Sequence, residues 1–199
     1  MKDENRNLPA PRGWYGRGYL PHFDGGSITQ FVTYRLAGTL PEHVLDTYKA
    51  QLARDLITEI EYHELIDKYL DGGFGNAFLR DPRIALIVEE NLLRFDGDRY
   101  KLFAWVIMSN HVHLLFSPLA GKSLAAILHT MKSFTANAAN RLLGRTGKFW
   151  SEEYFDRYIR NADHFTNVFN YIHNNPVKAS LCERPEDFRF SSAWHLDQK

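Results

Sequence analysis

Four short stretches of the chain either alternate between polar and apolar residues or are apolar throughout, as β-strands do. β-branched and aromatic residues, which favour strands, are frequent in them. Only Asn110 separates the second stretch from the third, so a tight hairpin across Ser109 and Asn110 and a bulged or continuous strand are both open. The predicted strands cover residues 27–36, 100–109, 111–116 and 150–160.

Between these stretches, apolar residues recur every three or four positions, which predicts amphipathic helices. Residues 41–69 form one long helix or two. A further helix begins at Pro82 with Asp81 as its cap, because proline suits the first helical position and aspartate suits the cap. The next helix covers residues 123–143, where an apolar stripe runs along one face.

The last predicted helix covers residues 164–174, with Asp163 as its cap. Pro176 is expected to end it, because proline pushes the preceding residue out of the helical region. The tail over residues 185–194 has no periodic pattern and predicts a packed, irregular segment. Mixed strands and helices, with two adjacent strands joined locally, indicate an α+β fold with an antiparallel sheet.

Residues 1–26 are rich in Gly, Pro and Arg and predict an irregular arm, followed by a single domain over residues 27–199. The chain has one cysteine, Cys182, which excludes an internal disulfide and a thiolate zinc cluster. The polar N-terminus precedes no apolar signal region, and no apolar stretch approaches the ~20 residues of a membrane span. We therefore expect a cytoplasmic protein.

Charge is balanced over the whole chain but not along it. The sequence contains 24 Lys and Arg residues and 24 Asp and Glu residues, yet residues 119–150 contain no acid. This acid-free segment predicts a local basic face that would suit a polyanion. A solvated helix face is the alternative.

His111-Val112-His113 follows the apolar run of residues 102–108. On a strand, alternate side chains share one face, so both imidazoles would project from the same side of the sheet while Val112 points into the core. The pair is close enough to hold one metal ion. Packing or surface histidines are the alternative.

Tyr171 and Asn175 are four residues apart, which puts them on one face of a helix. If this face meets the histidine face, His111, His113 and the Asn175 oxygen are three neutral ligands for a divalent cation. The Tyr171 phenol is then a candidate nucleophile that would form a phosphotyrosine link to a nucleic-acid end. A core tyrosine with its hydroxyl at the edge is the alternative.

The motifs around these residues occur in a characteristic order, over residues 104–115, 132–136, 154–160 and 171–179. In order and spacing they resemble the HUH single-tyrosine transposases, and most closely the REP-associated tyrosine transposases. The likeness covers residues 10–195. Relatives commonly carry proline at the position of Ser109 and glycine at that of Ser180, and neither difference removes a catalytic group.

The resemblance implies that His111 and His113 bind a metal, that Tyr171 is the nucleophile and that Asn175 is the third side chain at the metal. It implies a divalent ion, Mg or Mn, as cofactor and single-stranded or hairpin DNA as partner. Members of the family cleave single-stranded DNA near imperfect hairpins and leave a 5′-phosphotyrosine and a free 3′-hydroxyl. The implied fold is a ferredoxin-like antiparallel sheet flanked by helices.

Single-stranded DNA is bound by positive charge at its backbone and by aromatic faces at its bases. The arm mixes both residue types, so we expect it to contact DNA that flanks the hairpin; a packed tail is the alternative. Phe149 and Trp150 are expected to add aromatic faces. The candidate DNA-binding residues are Arg12, Trp14, Arg17, Lys122, Lys132, Arg141, Arg145 and Lys148.

Three alternatives remain open on the sequence. A hairpin-binding regulator of transposase descent would keep these motifs without cutting DNA. A zinc hydrolase would need a carboxylate beside the metal, for which Glu152, Glu153 and Asp156 are the nearest candidates. Tyr158 is the rival nucleophile, since strand alternation could aim it at the same site. A monomer and a homodimer are both compatible with the sequence.

Overall fold

A four-stranded antiparallel sheet lies at the centre of the structure, a computed structural model that describes residues 13–16 and 21–198. The strands are β1 (Gly13–Gly16), β2 (Pro21–Asp24), β3 (Gln30–Leu36), β4 (Tyr100–Ile107), β5 (His111–Pro118) and β6 (Trp150–Tyr158). The central sheet has the order β4-β5-β3-β6, and β1 pairs with β2 in a separate hairpin. Ser109 and Asn110 form a tight hairpin between β4 and β5, closed by the bond from Met108 N to His111 O.

Six helices surround the sheet within the described residues: α1 (Glu42–Ala53), α2 (Glu59–Asp71), α3 (Pro82–Arg94), α4 (Leu124–Leu142), α5 (Ala162–Lys178) and α6 (Ser192–Asp197). The region over 41–69 is two helices, because the chain turns at Asp55 with φ of 54° and Thr58 begins α2 with a capping box. Asp81 caps α3, as predicted. None of these helices is long and apolar enough to cross a bilayer.

The central strands and their connections follow the β-α-β-β-α-β order of a ferredoxin-like fold. The four strands of the central sheet are, in chain order, β3, β4, β5 and β6. Across the sheet they lie in the order second, third, first and fourth. α3 and α4 pack together on one face of the sheet. The prediction of an α+β, ferredoxin-like antiparallel sheet flanked by helices is confirmed.

Each face of the sheet has its own apolar core, because successive side chains on a strand point to opposite sides. Val112 and Leu114 of β5 join the larger core beneath α3 and α4. Leu115 joins the smaller core beneath α5, which also contains Phe31 and Ile172. The even-numbered residues of β5 thus serve packing beneath α3 and α4, and the odd-numbered ones face α5.

The sequence predicted that Pro176 ends the last long helix, and this prediction is wrong. It lies inside α5, buried with Asn175 against the sheet, and the helix continues to Lys178. Packing against the sheet outweighs the local preference of the residue before proline. The cap is also different, because Asn161, and not Asp163, accepts a hydrogen bond from the backbone of His164.

The tail is more regular than predicted. It contains a 3₁₀ turn at Pro185–Asp187 and the short helix α6, which Ser191 caps through the bond from Trp194 N. Ser192 Oγ accepts from Trp105 N at 2.9 Å, so this helix is tied to β4. Contacts with a distant strand, which no local pattern reveals, order this segment.

The described part of the arm is the β1–β2 hairpin and not the irregular chain that its glycines predicted. It is anchored to β6 where His22 Nδ1 bonds Asp156, whose other oxygen accepts from Phe23 N at 2.9 Å. Burial alone would lower the pKa of His22, but hydrogen bonds and charge attraction from Asp156 and Glu153 outweigh it and raise the pKa to about 9. The domain boundary at residue 26 stays a prediction.

This anchor predicts a specific pH dependence of stability. Because the pKa of His22 is higher in the folded than in the unfolded protein, its contribution is complete below about pH 6.5 and is lost as the pH rises through about 9. The wild-type advantage over His22→Gln in urea unfolding should fall by about 2 kcal/mol between pH 6 and pH 10. His43→Gln, on an exposed helix position, is the control. Parallel pH profiles for wild type and His22→Gln would contradict the prediction.

Candidate active site

Two buried histidines project from one face of β5 at the end nearest the β4–β5 hairpin. His111 and His113 face the α5 side of the sheet, and Val112 between them points into the opposite core, as predicted. Their ring centroids are 4.6 Å apart. Thr33 of the neighbouring strand β3 is paired with His113 in the sheet register.

A hydrogen bond at the far nitrogen of His111 determines which of its nitrogens is free. His111 Nδ1 lies 2.7 Å from Asn110 Oδ1, and an amide oxygen can only accept. Asn110 is itself oriented by the bond from its Nδ2 to the Leu70 carbonyl oxygen at 3.1 Å. The proton of His111 is therefore on Nδ1, and Nε2 keeps its lone pair.

His113 is held in a matching way. Its Nε2 lies 3.3 Å from Asn175 Nδ2, which can only donate, so Nε2 is the acceptor. Its Nδ1 then donates to Thr33 Oγ1 at 2.7 Å, and the Thr33 hydroxyl donates to His63 Nε2 at 3.0 Å. The Nε2 atoms of His111 and His113 face each other at 3.0 Å, and neither carries a proton.

Burial keeps both rings neutral. It lowers the pKa of His111 to about 3. It also lowers the pKa of His113 well below the ordinary value, with further contributions from His111, His63 and Lys178. Neutral imidazole is the form that binds metal ions, and burial keeps this pair in that form.

Helix α5 brings Asn175 and Tyr171 to the same place, so the helix face and the strand face meet as the sequence predicted. Asn175 is fully buried, and its Oδ1 has no hydrogen-bond partner among the described residues. The ring centroids of Tyr171 and His113 are 5.4 Å apart. No three His, Cys, Asp or Glu side chains within residues 13–16 and 21–198 are arranged to hold a metal ion, so a site here requires the Asn175 amide.

Helix α2 adds three side chains that the sequence analysis missed. His63, Asp67 and Asp71 follow at intervals of four residues and so share one helix face. Asp71 Oδ1 lies 3.9 Å from His111 Nε2, and Asp67 Oδ2 lies 3.3 Å from His63 Nδ1. The spacing is visible in the sequence, but nothing there indicates that this helix lies beside the histidine pair.

Tyr171 is held as a protonated phenol. Its hydroxyl donates to Asp67 Oδ2 at 2.5 Å. Burial first, then the negative charge of Asp67 and this hydrogen bond, raise the pKa of the Tyr171 phenol above its usual value. The Lys178 ammonium lies 4.7 Å from the centre of the Tyr171 ring. A reaction at this oxygen therefore needs a group that takes the hydroxyl proton.

Tyr158 does not reach this site, so its reading as the rival nucleophile is wrong. In the sheet register Phe155 is level with Thr33, and Tyr158 is level with Gln30 at the far end of β3. Strand alternation also puts Tyr158 on the face opposite to Phe155. Its ring packs against Phe23, with centroids 5.0 Å apart.

The carboxylates considered for a zinc hydrolase have other partners. Asp156 and Glu153 pair with His22, and Glu152 pairs with Lys148 at 2.6 Å. The carboxylates at the histidine pair are instead those of α2. Glu152, Glu153 and Asp156 are therefore the wrong candidates, and Asp71 is the carboxylate that lies beside His111.

The candidate DNA-binding cations of the acid-free segment lie away from the tyrosine. Lys122 and Arg141 are exposed beside or on α4, which packs on the sheet face opposite to His113. Arg12 and Arg17 of the arm lie outside the described residues. Whether these residues contact DNA stays a prediction.

The other three cations of this segment bond to their own chain. Lys132 donates to the Glu152 carbonyl oxygen at 2.9 Å, and Lys148 donates to the Glu152 carboxylate at 2.6 Å. Arg145 donates to the Lys148 carbonyl oxygen at 3.2 Å. Lys132 and Lys148 border a cavity of about 320 Å³ between α4 and β6.

Phe149 and Trp150 do not offer faces to nucleic-acid bases, contrary to the prediction. They are only 2% and 6% exposed. Phe149 packs against Phe78 with ring centroids 5.9 Å apart, and Trp150 Nε1 donates to Thr135 Oγ1 at 2.9 Å. Both rings belong to the core beneath α4, which the local sequence could not distinguish from a surface patch.

Comparison with known proteins identifies one family. The family model for IS200-like transposases matches residues 83–175, a segment that includes both histidines, Tyr171 and Asn175. The chain is 24% identical over 139 residues to the REP-associated tyrosine transposase of Escherichia coli (strain K12), a match that spans 65% of this chain and 81% of that protein. Asp67 and Asp71 precede the segment that the family model matches.

A solved structure shows the same fold. It is the structure of a REP-associated tyrosine transposase bound to a REP hairpin, and it matches with a TM-score of 0.53 at 17% identity. The match covers 89% of this chain and 81% of that chain. The resemblance drawn from the sequence motifs is confirmed at the level of family and fold.

Proposed function

Because the family model for IS200-like transposases matches residues 83–175, we propose that the protein cleaves single-stranded DNA beside hairpins and holds the cut strand on Tyr171. One observation carries this proposal: the Tyr171 ring lies 5.4 Å from the His113 ring, next to a pair of neutral histidines and a buried amide oxygen with no partner among the described residues. The relative of known structure is bound to a REP hairpin, which makes hairpin DNA the first partner to test.

The residues at the histidine pair fit a divalent metal ion. Two Nε2 lone pairs 3.0 Å apart repel each other unless a cation or a proton lies between them. A half-turn of the Asn175 amide exchanges the Nδ2 that faces His113 with the unpartnered Oδ1. Two imidazoles and an oxygen suit Mn²⁺ and admit Mg²⁺. We assign His111, His113 and Asn175 as ligands, and the bound ion would polarise the phosphoryl group.

Tyr171 and Lys178 have separate parts in the reaction. The Tyr171 oxygen forms a bond to phosphorus while the bond from phosphorus to the 3′ oxygen breaks, which leaves a 5′-phosphotyrosine and a 3′-hydroxyl. Lys178 lies next to the phenol ring and is exposed, so its charge can pair with the scissile phosphate. The covalent link preserves the energy of the cleaved bond for rejoining.

A groove beside the active site supports contact between the arm and DNA. It has a volume of about 430 Å³ and is lined by Trp14, Phe155, Arg157, Tyr158 and Arg160, among others. Trp14 is 60% exposed, and arginines with an exposed aromatic ring are the groups that bind a single strand. The Phe155 ring stacks on His63 with centroids 3.8 Å apart, which connects the groove to the active site. We propose that the strand flanking the hairpin crosses this groove.

A hairpin-binding regulator that does not cut DNA is the second candidate. It would use the same groove and the same fold. The ordered contacts of the Tyr171 hydroxyl and of both histidines favour an enzyme, since hairpin binding alone requires none of them.

Replacing Tyr171 with phenylalanine tests the nucleophile. With labelled single-stranded hairpin DNA and Mg²⁺ or Mn²⁺, wild type should form a covalent adduct on a denaturing gel, and Tyr171→Phe should form none while still binding the hairpin. Tyr48→Phe, on α1, is the matched control and should form the adduct as wild type does. An adduct on Tyr171→Phe would refute the assignment. Binding without any adduct in wild type would favour the regulator.

Removing a histidine tests the metal site. His111→Gln should weaken Mn²⁺ binding by at least about 100-fold, more than loss of a supporting residue usually costs, as measured by titration calorimetry at neutral pH. His129→Gln, at an exposed position of α4, should leave the affinity unchanged. EDTA should stop adduct formation and added Mn²⁺ should restore it. Equal Mn²⁺ affinity of His111→Gln and wild type would disprove the ligand set.

Removing the exposed tryptophan tests the groove. Trp14→Ala should weaken binding of a hairpin with a single-stranded flank by about 10-fold, since one stacked base contributes about 1–3 kcal/mol. A blunt hairpin without the flank should bind both proteins equally. Phe134→Ala, also an exposed aromatic residue at 53% but on α4, is the control. A loss with Phe134→Ala and none with Trp14→Ala would place the strand on the α4 face instead.

A further inference from the structure

Asp67 is a buried carboxylate that contacts the reacting atom of the proposed nucleophile. It is 4% exposed, and its Oδ2 accepts the Tyr171 hydroxyl at 2.5 Å. Its Oδ1 is buried without a hydrogen-bond partner among the described residues. Burying a carboxylate so incompletely bonded is costly, and such a cost is usual where the group has a chemical task.

Resting on the proposed function, we propose that Asp67 is a catalytic residue that accepts the Tyr171 hydroxyl proton during cleavage. As the Tyr171 oxygen bonds to phosphorus, its proton passes along the existing hydrogen bond to Asp67 Oδ2. The 3′ oxygen leaves with the electron pair of the broken bond and takes a proton from solvent. In rejoining, the 3′-hydroxyl attacks phosphorus and loses its proton to solvent, and the departing Tyr171 oxygen takes its proton back from Asp67.

A chain of hydrogen-bonding groups holds Asp67 in place and links it to the histidine pair. His63 Nε2 accepts from Thr33, so the proton of the neutral His63 ring is on Nδ1, 3.3 Å from Asp67 Oδ2. Thr33 in turn accepts from His113 Nδ1. The oxygen that receives the Tyr171 proton is therefore positioned by the same network that orients His113.

The charges around Asp67 suit a proton acceptor. Burial raises the pKa of its carboxyl well above the ordinary value, and the negative charges of Asp71 and Glu64 raise it further. The hydrogen bond from Tyr171 and the charge of Lys178 act in the opposite direction. A raised pKa makes the ionised carboxylate a stronger base than an exposed one, while the Tyr171 hydrogen bond and Lys178 favour the ionised form that accepts the proton.

Asp67→Asn tests this assignment, because asparagine keeps the shape of the side chain and removes its capacity to take a proton. With saturating hairpin DNA and Mg²⁺ or Mn²⁺, single-turnover adduct formation at pH 7 should slow by about 100-fold, the usual contribution of a general base. Hairpin affinity should not change. The defect should shrink as the pH rises, because hydroxide then replaces the missing base, and rejoining of the 3′-hydroxyl strand should slow by the same factor.

Asp46→Asn is the matched control, the same substitution at an exposed position of α1, and it should react as wild type does. If Asp67→Asn does not fold, as judged by urea unfolding, Asp67→Ser puts a smaller neutral group at the position and should show the same loss. An unchanged rate in either folded variant, or a defect equal at every pH, would overturn the inference. Wild type without any adduct would instead mean that the proposed function fails.

Discussion

The hydrogen bonds at the Nδ1 atoms of His111 and His113 are the constraint on which the active site depends. Each Nδ1 donates to a group of the fold, Asn110 in one case and Thr33 in the other. Both Nε2 lone pairs must then point at the same small volume, 3.0 Å apart and out of contact with water. The sheet supplies this arrangement before any ligand arrives, and it is the arrangement on which the proposed metal site depends.

The supporting bonds come from distant parts of the chain, which ties the chemistry to the integrity of the fold. Thr33 belongs to β3 and Asn110 to the β4–β5 hairpin, whose side-chain amide is bonded to the end of α2 at Leu70. α2 also carries Asp67 to the Tyr171 hydroxyl. The helical pair α1–α2 is an addition between the first strand of the ferredoxin-like order and the helix α3 that packs on the sheet. It forms a small apolar cluster of its own.

The two faces of the sheet differ in what they carry: one holds the main apolar core and the other holds the candidate site. Beneath α3 and α4 lies the larger apolar core, which contains Phe149 and Trp150 and supplies most of the burial. The opposite face carries the histidine pair, Tyr171 and Asp67 over a smaller core. One strand, β5, serves both, because Val112 and Leu114 pack on one side while His111 and His113 lie on the other. A substitution at an even-numbered residue of β5 therefore affects the larger core, and one at an odd-numbered residue affects the face that carries the histidine pair.

Sequence alone determined the features that depend on local periodicity. The period of two on β5 put His111 and His113 on one face, and the period near four put Tyr171 beside Asn175. It also indicated the α+β class, the cap at Asp81 and the family. Only the tertiary structure decided that α5 continues through Pro176, that Tyr158 faces away and that Asp67 lies at the Tyr171 hydroxyl. These outcomes follow from contacts between residues far apart in the chain. A local pattern does not show which helix and strand faces pack against each other.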